Sequence, residues 1–261
     1  MQSFDLVKPS TLAEAVSALA ADGAQALSGG QTLIPVMKQR LAAPSVLVSL
    51  GGIAEMRGVA AAQGVLRIGA ATPHAAVARE AAAHYPALAK LAGGIGDPAV
   101  RNRGTIGGSL ANNDPSACYP SAALASGATI VTNRRQIAAD DFFQGLFTTA
   151  LQEGEIITEV QFPIPERAAY VKFEQPASRF ALTAVFVAKY ANGVRVAVTG
   201  ASNDGVLRWK AAEERLSANF SASALSDLNL SGADMMADLH GSGDYRAHLA
   251  KVLTGRAVAA S

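Results

Sequence analysis

Residues Arg101–Pro120, RNRGTIGGSLANNDPSACYP, decide the reading of this chain. The stretch holds Gly104, Gly107 and Gly108, with Pro115 and Pro120 behind them. It shows neither the alternation of a strand nor the 3.6-residue period of a surface helix, and it reads as a loop. Without a Cβ at the three glycines, backbone can come close to a ligand. Thr105 and Ser109 add hydroxyls, and successive free N–H groups in such a turn form an anion-binding concavity. A second loop of the same kind, LSGGQTL, lies upstream at Leu27–Leu33. Either loop alone is an ordinary surface feature. Two that converge would hold two phosphates, or one diphosphate bridge. Neither is a P-loop or a G-x-G-x-x-G fingerprint.

The elements around these loops alternate. Phe4–Val7, Gln25–Leu27 and Val46–Leu50 read as strands. Thr11 and Glu14 make a capping box for a helix with a Leu12, Val16, Leu19 stripe, stopped at Gly23. Leu33–Arg40 reads as a short helix that tolerates Pro35 in its first turn. The first glycine loop thus follows a strand's carboxyl end, where α/β sheets bind ligands. A second unit begins near Gly51, with strands at Val65–Gly69, Ala128–Thr132 and Ile156–Phe162. Its helices are expected at Thr72–Ala83, with Thr72 as cap, and at Pro86–Leu91. Pro163–Arg167 reads as a boundary. Beyond it, Ala181–Tyr190 and Val194–Gly200 flank Asn192-Gly193, a hairpin signal, and suggest a sheet with one buried face. Helices at Lys210–Ala218, Ala222–Leu228 and Tyr245–Leu253 follow, with Ser231–Gly243 as a loop.

Composition narrows the function. The chain has 261 residues and a net charge of +1, so no broad basic field argues for nucleic acid or an anionic membrane. No apolar run is long enough to span a bilayer, and the amino terminus has no signal-peptide pattern. A single cysteine, Cys118, allows neither an internal disulfide nor an iron–sulfur cluster. The four histidines are scattered, without metal-site spacing. A reducing, cytoplasmic compartment is expected.

The pair LSGGQTLIPVMKQRLAAPSVLVSL and RNRGTIGGSLANNDP, in this order, resembles the flavoprotein subunit of the molybdenum hydroxylases, the family of carbon monoxide dehydrogenase and xanthine dehydrogenase. The resemblance runs the full length. It implies an α+β fold: a two-subdomain FAD-binding domain of the vanillyl-alcohol-oxidase (PCMH) type over residues 1–165, with subdomains of about 1–50 and 51–165. A small α+β domain with an antiparallel sheet, of the CO dehydrogenase flavoprotein type, would span 166–261. Leu27, Ser28, Gly29, Gly30, Gln31, Thr32, Leu33 and Ile34 would wrap the FAD diphosphate and ribityl chain. Thr105, Ile106, Gly107, Gly108 and Ser109 would form the second phosphate loop. Ile95 and Ile157 match apolar residues near the cofactor. Asp114 would bind a ribose hydroxyl, or form an Asx turn before Pro115.

Three positions depart from the family pattern. Cys118 stands where relatives carry a ribose-binding aspartate, and a thiol cannot replace a carboxylate's acceptors. Glu174 stands where some relatives place a lysine near the flavin. Lys172, two residues before, is the candidate cation, or else a solvated strand residue. Gln31 stands where flavin oxidases of the wider fold carry a covalently attached histidine, so FAD would be non-covalent.

The resemblance implies an electron-transfer subunit with no catalytic acid, base or nucleophile of its own. Substrate would be oxidised at a molybdenum cofactor on a large partner subunit. Electrons would pass through iron–sulfur clusters on a small one to this FAD and on to an external acceptor, in a dimer of heterotrimers. Arg134-Arg135 reads as a solvated turn. Met37, Lys38 and Arg40 either face a partner or are helix surface. The alternatives are a stand-alone FAD-dependent oxidase or reductase of the same fold, and a non-enzymatic phosphate-binding module.

Overall fold

The computed structural model describes residues 1–261. The first unit is a parallel three-stranded sheet in the order β1-β3-β2, from β1 (Asp5–Val7), β2 (Ala24–Leu27) and β3 (Val46–Ser49). Parallel neighbours need crossovers, and α1 (Leu12–Leu19) and α2 (Leu33–Lys38) supply them. The capping box is present: Glu14 N donates to Thr11 Oγ1 at 3.2 Å, and the Glu14 carboxylate accepts from Thr11 N at 3.3 Å. Ser28–Thr32 leaves the carboxyl end of β2, as the strand pattern requires.

The second unit is an antiparallel sheet in the order β4-β5-β8-β6-β7, with β4 (Val59–Ala62), β5 (Val65–Gly69), β6 (Thr129–Thr132), β7 (Gln136–Ala138) and β8 (Ile157–Pro163). Its helices are α3 (His74–Glu80), α4 (Pro86–Gly93), α5 (Pro98–Arg101), α6 (Ile106–Asn112), α7 (Tyr119–Ser126) and α8 (Ala139–Phe142). The β4–β5 hairpin escaped the sequence reading. Its turn is Gln63-Gly64, with φ of +52° and +75°, and glutamine is an unusual residue for a left-handed position. Thr72 does not cap α3. Its hydroxyl instead bonds Gly58 N and Gly58 O, at 2.9 and 3.2 Å, and the helix starts after Pro73 and ends at Glu80.

The glycine stretch itself is corrected from loop to helices. Asp97 and Thr105 cap α5 and α6 by accepting from Val100 N and Gly108 N, at 2.9 and 3.1 Å. Asn113, at φ +42°, and Gly127, at φ +57°, close α6 and α7 in the left-handed region. No period is visible in α5 and α6 because they run for only four and seven residues, and none in α7 because it has no solvent face. Every residue of α7 is buried, and a helix enclosed all round carries no amphipathic stripe.

The third sheet is antiparallel, in the order β12-β11-β10-β9, from β9 (Arg167–Glu174), β10 (Ala181–Tyr190), β11 (Gly193–Ser202) and β12 (Gly205–Arg208). The hairpin turns on Ala191-Asn192, and Gly193, at φ +141°, pairs with Tyr190. Both faces of this sheet are covered, not one. Ala184, Phe186, Ala188 and Ala197 join the core with α4 and α7. Val185, Val187, Val196 and Val198 join a second core with α9 (Lys210–Ala218) and α10 (Gly243–Ala260). That double burial makes β10 a continuous apolar run. The helix expected at Ala222–Leu228 is a 3-10 turn at Ala222–Leu225, and the one at Tyr245–Leu253 is the middle of α10. The expected loop Ser231–Gly243 carries one more 3-10 turn, Gly232–Asp234.

Polar contacts tie the third sheet to the second unit. Arg195 donates to Leu124 O through Nε and Nη2, at 3.1 and 2.7 Å, and to Asp140 at 2.6 Å. Tyr190 Oη reaches Pro163 O at 3.0 Å. No helix of the structure is long and apolar enough to cross a membrane.

Candidate functional site

The two glycine loops, 77 residues apart, meet. Ser28 Oγ and Thr105 Oγ1 are hydrogen-bonded at 2.6 Å. The approach is close enough that a Cβ on Gly29 would sit 2.2 Å from Arg103 O and 2.6 Å from Gly104 Cα. Glycine at position 29 is therefore a requirement of loop-to-loop contact. The same contact opens onto a cleft of about 860 Å³, within the size range of cofactor sites.

The cleft walls come from separate parts of the chain. Leu27–Leu33 form one, and Thr105, Gly107, Gly108 and Ser109 form the next. Ile95, Asp114, Ile157 and Lys172 also line it. Two residues expected there do not. Ile106 is fully buried in the core beneath α6, and Ile34 packs back against Gly30, its Cγ1 3.0 Å from where a Gly30 Cβ would be.

The first loop is a set of unused donors. The backbone N–H groups of Gly29, Gly30, Gln31 and Thr32 donate to no acceptor in the chain. Gly30 has φ +69°. Backbone turned in this way aims successive N–H groups into one concavity, which suits phosphate oxygens. The Thr32 hydroxyl caps nothing. Gln31 holds the bend by donating Nε2 to Gly29 O at 3.1 Å. The second loop is pinned from three sides. Gly107 N donates to Ala70 O at 2.9 Å, and His74 N to Gly104 O at 2.9 Å. Behind α6, Gly200 N donates to Pro115 O at 2.8 Å, and Thr199 Oγ1 lies 2.8 Å from Ala117 O. This donor set fits a diphosphate-bridged cofactor.

Several side chains differ from expectation. Lys172 is not solvated: its side chain is 5 % exposed. Its ammonium donates to Gly94 O at 2.6 Å and Arg179 O at 3.1 Å, and pairs with Glu174 at 3.2 Å. Those partners use its three protons, so Lys172 ties the end of α4 to the segment Gln175–Phe180. Asp114 makes the Asx turn, accepting from Ser116 N at 2.8 Å, while it also lines the cleft. Cys118 lines the cleft and is buried, and that burial pushes its thiol pKa up.

Arg134 is exposed, but Arg135 does more than fill a solvated turn. It grips Glu155 through Nε and Nη2, both at 3.0 Å. Hydrogen bonding from Arg135 holds the Glu155 carboxyl down at about 2. Glu155 in turn fixes the wall around Ile156 and Ile157. Met37 is buried, so only Lys38 and Arg40 are surface.

Sequence reasoning missed His74, Glu155, Arg179 and Phe180, all on the cleft wall. A lone histidine with no metal spacing carries no local signal, and the other three reach the cleft only through long-range packing.

Comparison with known proteins agrees with this geometry. Residues 2–165 match the family model described as the FAD binding domain in molybdopterin dehydrogenase. The nicotine 6-hydroxylase medium subunit of Paenarthrobacter nicotinovorans is 33 % identical, the match covering 96 % of this chain and 94 % of that protein. The carbon monoxide dehydrogenase medium chain of Hydrogenophaga pseudoflava is 32 % identical over 99 % of this chain and 96 % of its own. Among solved structures, reconstituted CO dehydrogenase from Oligotropha carboxidovorans superposes with a TM-score of 0.90 at 31 % identity, covering 99 % of this chain and 97 % of that one. The chain belongs to the family of FAD-binding medium subunits of the molybdenum hydroxylases.

Proposed function

We propose that this chain is the electron-transfer subunit of a molybdenum hydroxylase and holds FAD, without a covalent bond, in the cleft between its two glycine loops. The Ser28–Thr105 contact, which closes the loops on one cavity, carries this reading. Gly29, Gly30, Gln31 and Thr32 present their N–H groups to the diphosphate, and Thr105 and Ser109 add hydroxyls from the facing loop. Ile95 and Ile157 exclude water from the apolar portion of the cofactor. FAD, when bound, would supply the redox chemistry that links an iron–sulfur carrier to an external acceptor. The chain's own contribution is to bind, orient and shield.

The relatives are medium subunits of multi-subunit complexes. On that basis the partners are a large molybdenum-cofactor subunit and a small iron–sulfur subunit, in a dimer of heterotrimers within the cytoplasm. The division into residues 1–165, with subdomains of about 1–50 and 51–165, and residues 166–261 is part of the same proposal. Purified full-length chain should show a flavin spectrum or gain one, at one FAD per chain, when FAD is added. It should co-purify with the two partner subunits when they are co-expressed. A chain that takes up no FAD refutes the reading. Rapid flavin reduction by an organic substrate without partners would favour a stand-alone enzyme.

A further inference from the structure

His74 is the first residue of α3 and lines the cleft at the second glycine loop. Only 5 % of it is exposed, and neither ring nitrogen makes a hydrogen bond. Nδ1 is sealed from solvent and has no partner. The Nε2 edge lies against Gly104, where an added Cβ would sit 2.6 Å from Nε2 and 2.9 Å from Cδ2. The ring is held there. Its backbone N–H bonds Gly104 O at 2.9 Å, and Tyr119 packs on it with centroids 5.3 Å apart. Buried polar atoms in native folds have partners, and an unfilled one calls for an explanation.

A neutral imidazole has one N–H and one lone pair. Orphaned buried N–H groups are rarer than orphaned acceptors. The proton therefore belongs on Nε2, the nitrogen beside the loop, and the sealed Nδ1 keeps the lone pair. We propose that His74 is a neutral hydrogen-bond donor to the ligand of this cleft, offering Nε2–H to an anionic oxygen of the diphosphate held at the Thr105–Ser109 loop. Burial and the nearby Arg101 charge hold its pKa down at about 4, so the ring is uncharged at neutral pH. The inference rests on the FAD reading above and adds a side-chain donor from outside both glycine motifs.

The test uses the full-length chain with ¹⁵N-labelled histidine, His74 being assigned by its absence from the His74→Phe protein. In the ligand-free chain His74 is expected as the Nε2–H tautomer. FAD should shift Nε2 more than Nδ1, and inorganic pyrophosphate should shift it in the same sense. His74→Phe keeps a ring against Tyr119 but offers no donor. It should bind FAD about tenfold more weakly, the scale of one hydrogen bond to a charged group. His74→Gln, which keeps an N–H, should recover part of the loss.

An FAD Kd in His74→Phe within twofold of the parent, or an Nε2 resonance unmoved at FAD saturation, would overturn the proposal. If His74→Phe does not fold, the parent's Nε2 shift decides, with the residue assigned through His74→Gln. A parent chain that binds no FAD refutes the cofactor reading, and the pyrophosphate titration then still shows whether His74 meets an anion.

Discussion

Adding a single methyl group at position 29 is the sharpest test of the loop contact. In Gly29→Ala the new carbon would lie 2.2 Å from Arg103 O, 2.6 Å from Gly104 Cα and 2.8 Å from Arg103 C. All three are backbone atoms and cannot rotate away. Opening 2.2 Å to the 3.0 Å floor of real contacts moves one loop by about 0.8 Å from the other. That displacement stretches the 2.6 Å bond between Ser28 and Thr105 to as much as about 3.4 Å, past the normal hydroxyl range, and forfeits up to about 1 kcal/mol. Overpacking adds roughly 1–3 kcal/mol. For a chain of this size the apo Tm should fall by about 4–16 °C. FAD affinity should fall further, because donors from both loops must converge on one diphosphate. The expected loss is at least about a hundredfold, near 2.7 kcal/mol. Fluorescence titration of apoprotein with FAD measures it. Gly51→Ala is the control, since nothing lies within 4 Å of its added carbon. If Gly29→Ala bound FAD within threefold of the parent, the close approach would have no bearing on the cofactor and the reasoning would fail.

Gly107→Val should fail in the fold rather than at the phosphate. Its Cβ would meet Ala70 Cβ at 2.6 Å and Ala70 O at 2.8 Å, so apoprotein should melt at least about 10 °C lower by calorimetry. Lys172→Met leaves Gly94 O and Arg179 O without their donor, at about 1–3 kcal/mol; limited proteolysis should then cut faster within Gln175–Phe180. Arg135→Met bears on acid stability. The Glu155 carboxyl is depressed to about 2 from an ordinary 4.5, so the pair stabilises the fold fully above pH 4.5 and less as pH falls toward 2. The variant's acid-unfolding midpoint, followed by circular dichroism, should therefore rise toward pH 4.

The first unit was legible because its signals are local. The Thr11–Glu14 box, the Leu12–Leu19 stripe and the glycines after Leu27 each act within a few residues. The helices of the glycine stretch were not legible, because α6 is too short to show a period and burial on all sides erased that of α7. Lys172 looked like a surface cation because its partner at Gly94 lies 78 residues away. The loops' chemistry was visible in their composition. The packing reasons for particular glycines were not: Gly107 answers to Ala70, and Gly104 to the His74 ring.

The enclosure of α7 bears on modularity. One flank of the helix contacts β8 and α6, and another rests on β10 and β11. A polypeptide halted at residue 165 would leave that second flank wet, with Arg195 no longer present to satisfy Leu124 O. Residue 165, where the family match ends, is thus not where the packing that encloses α7 ends.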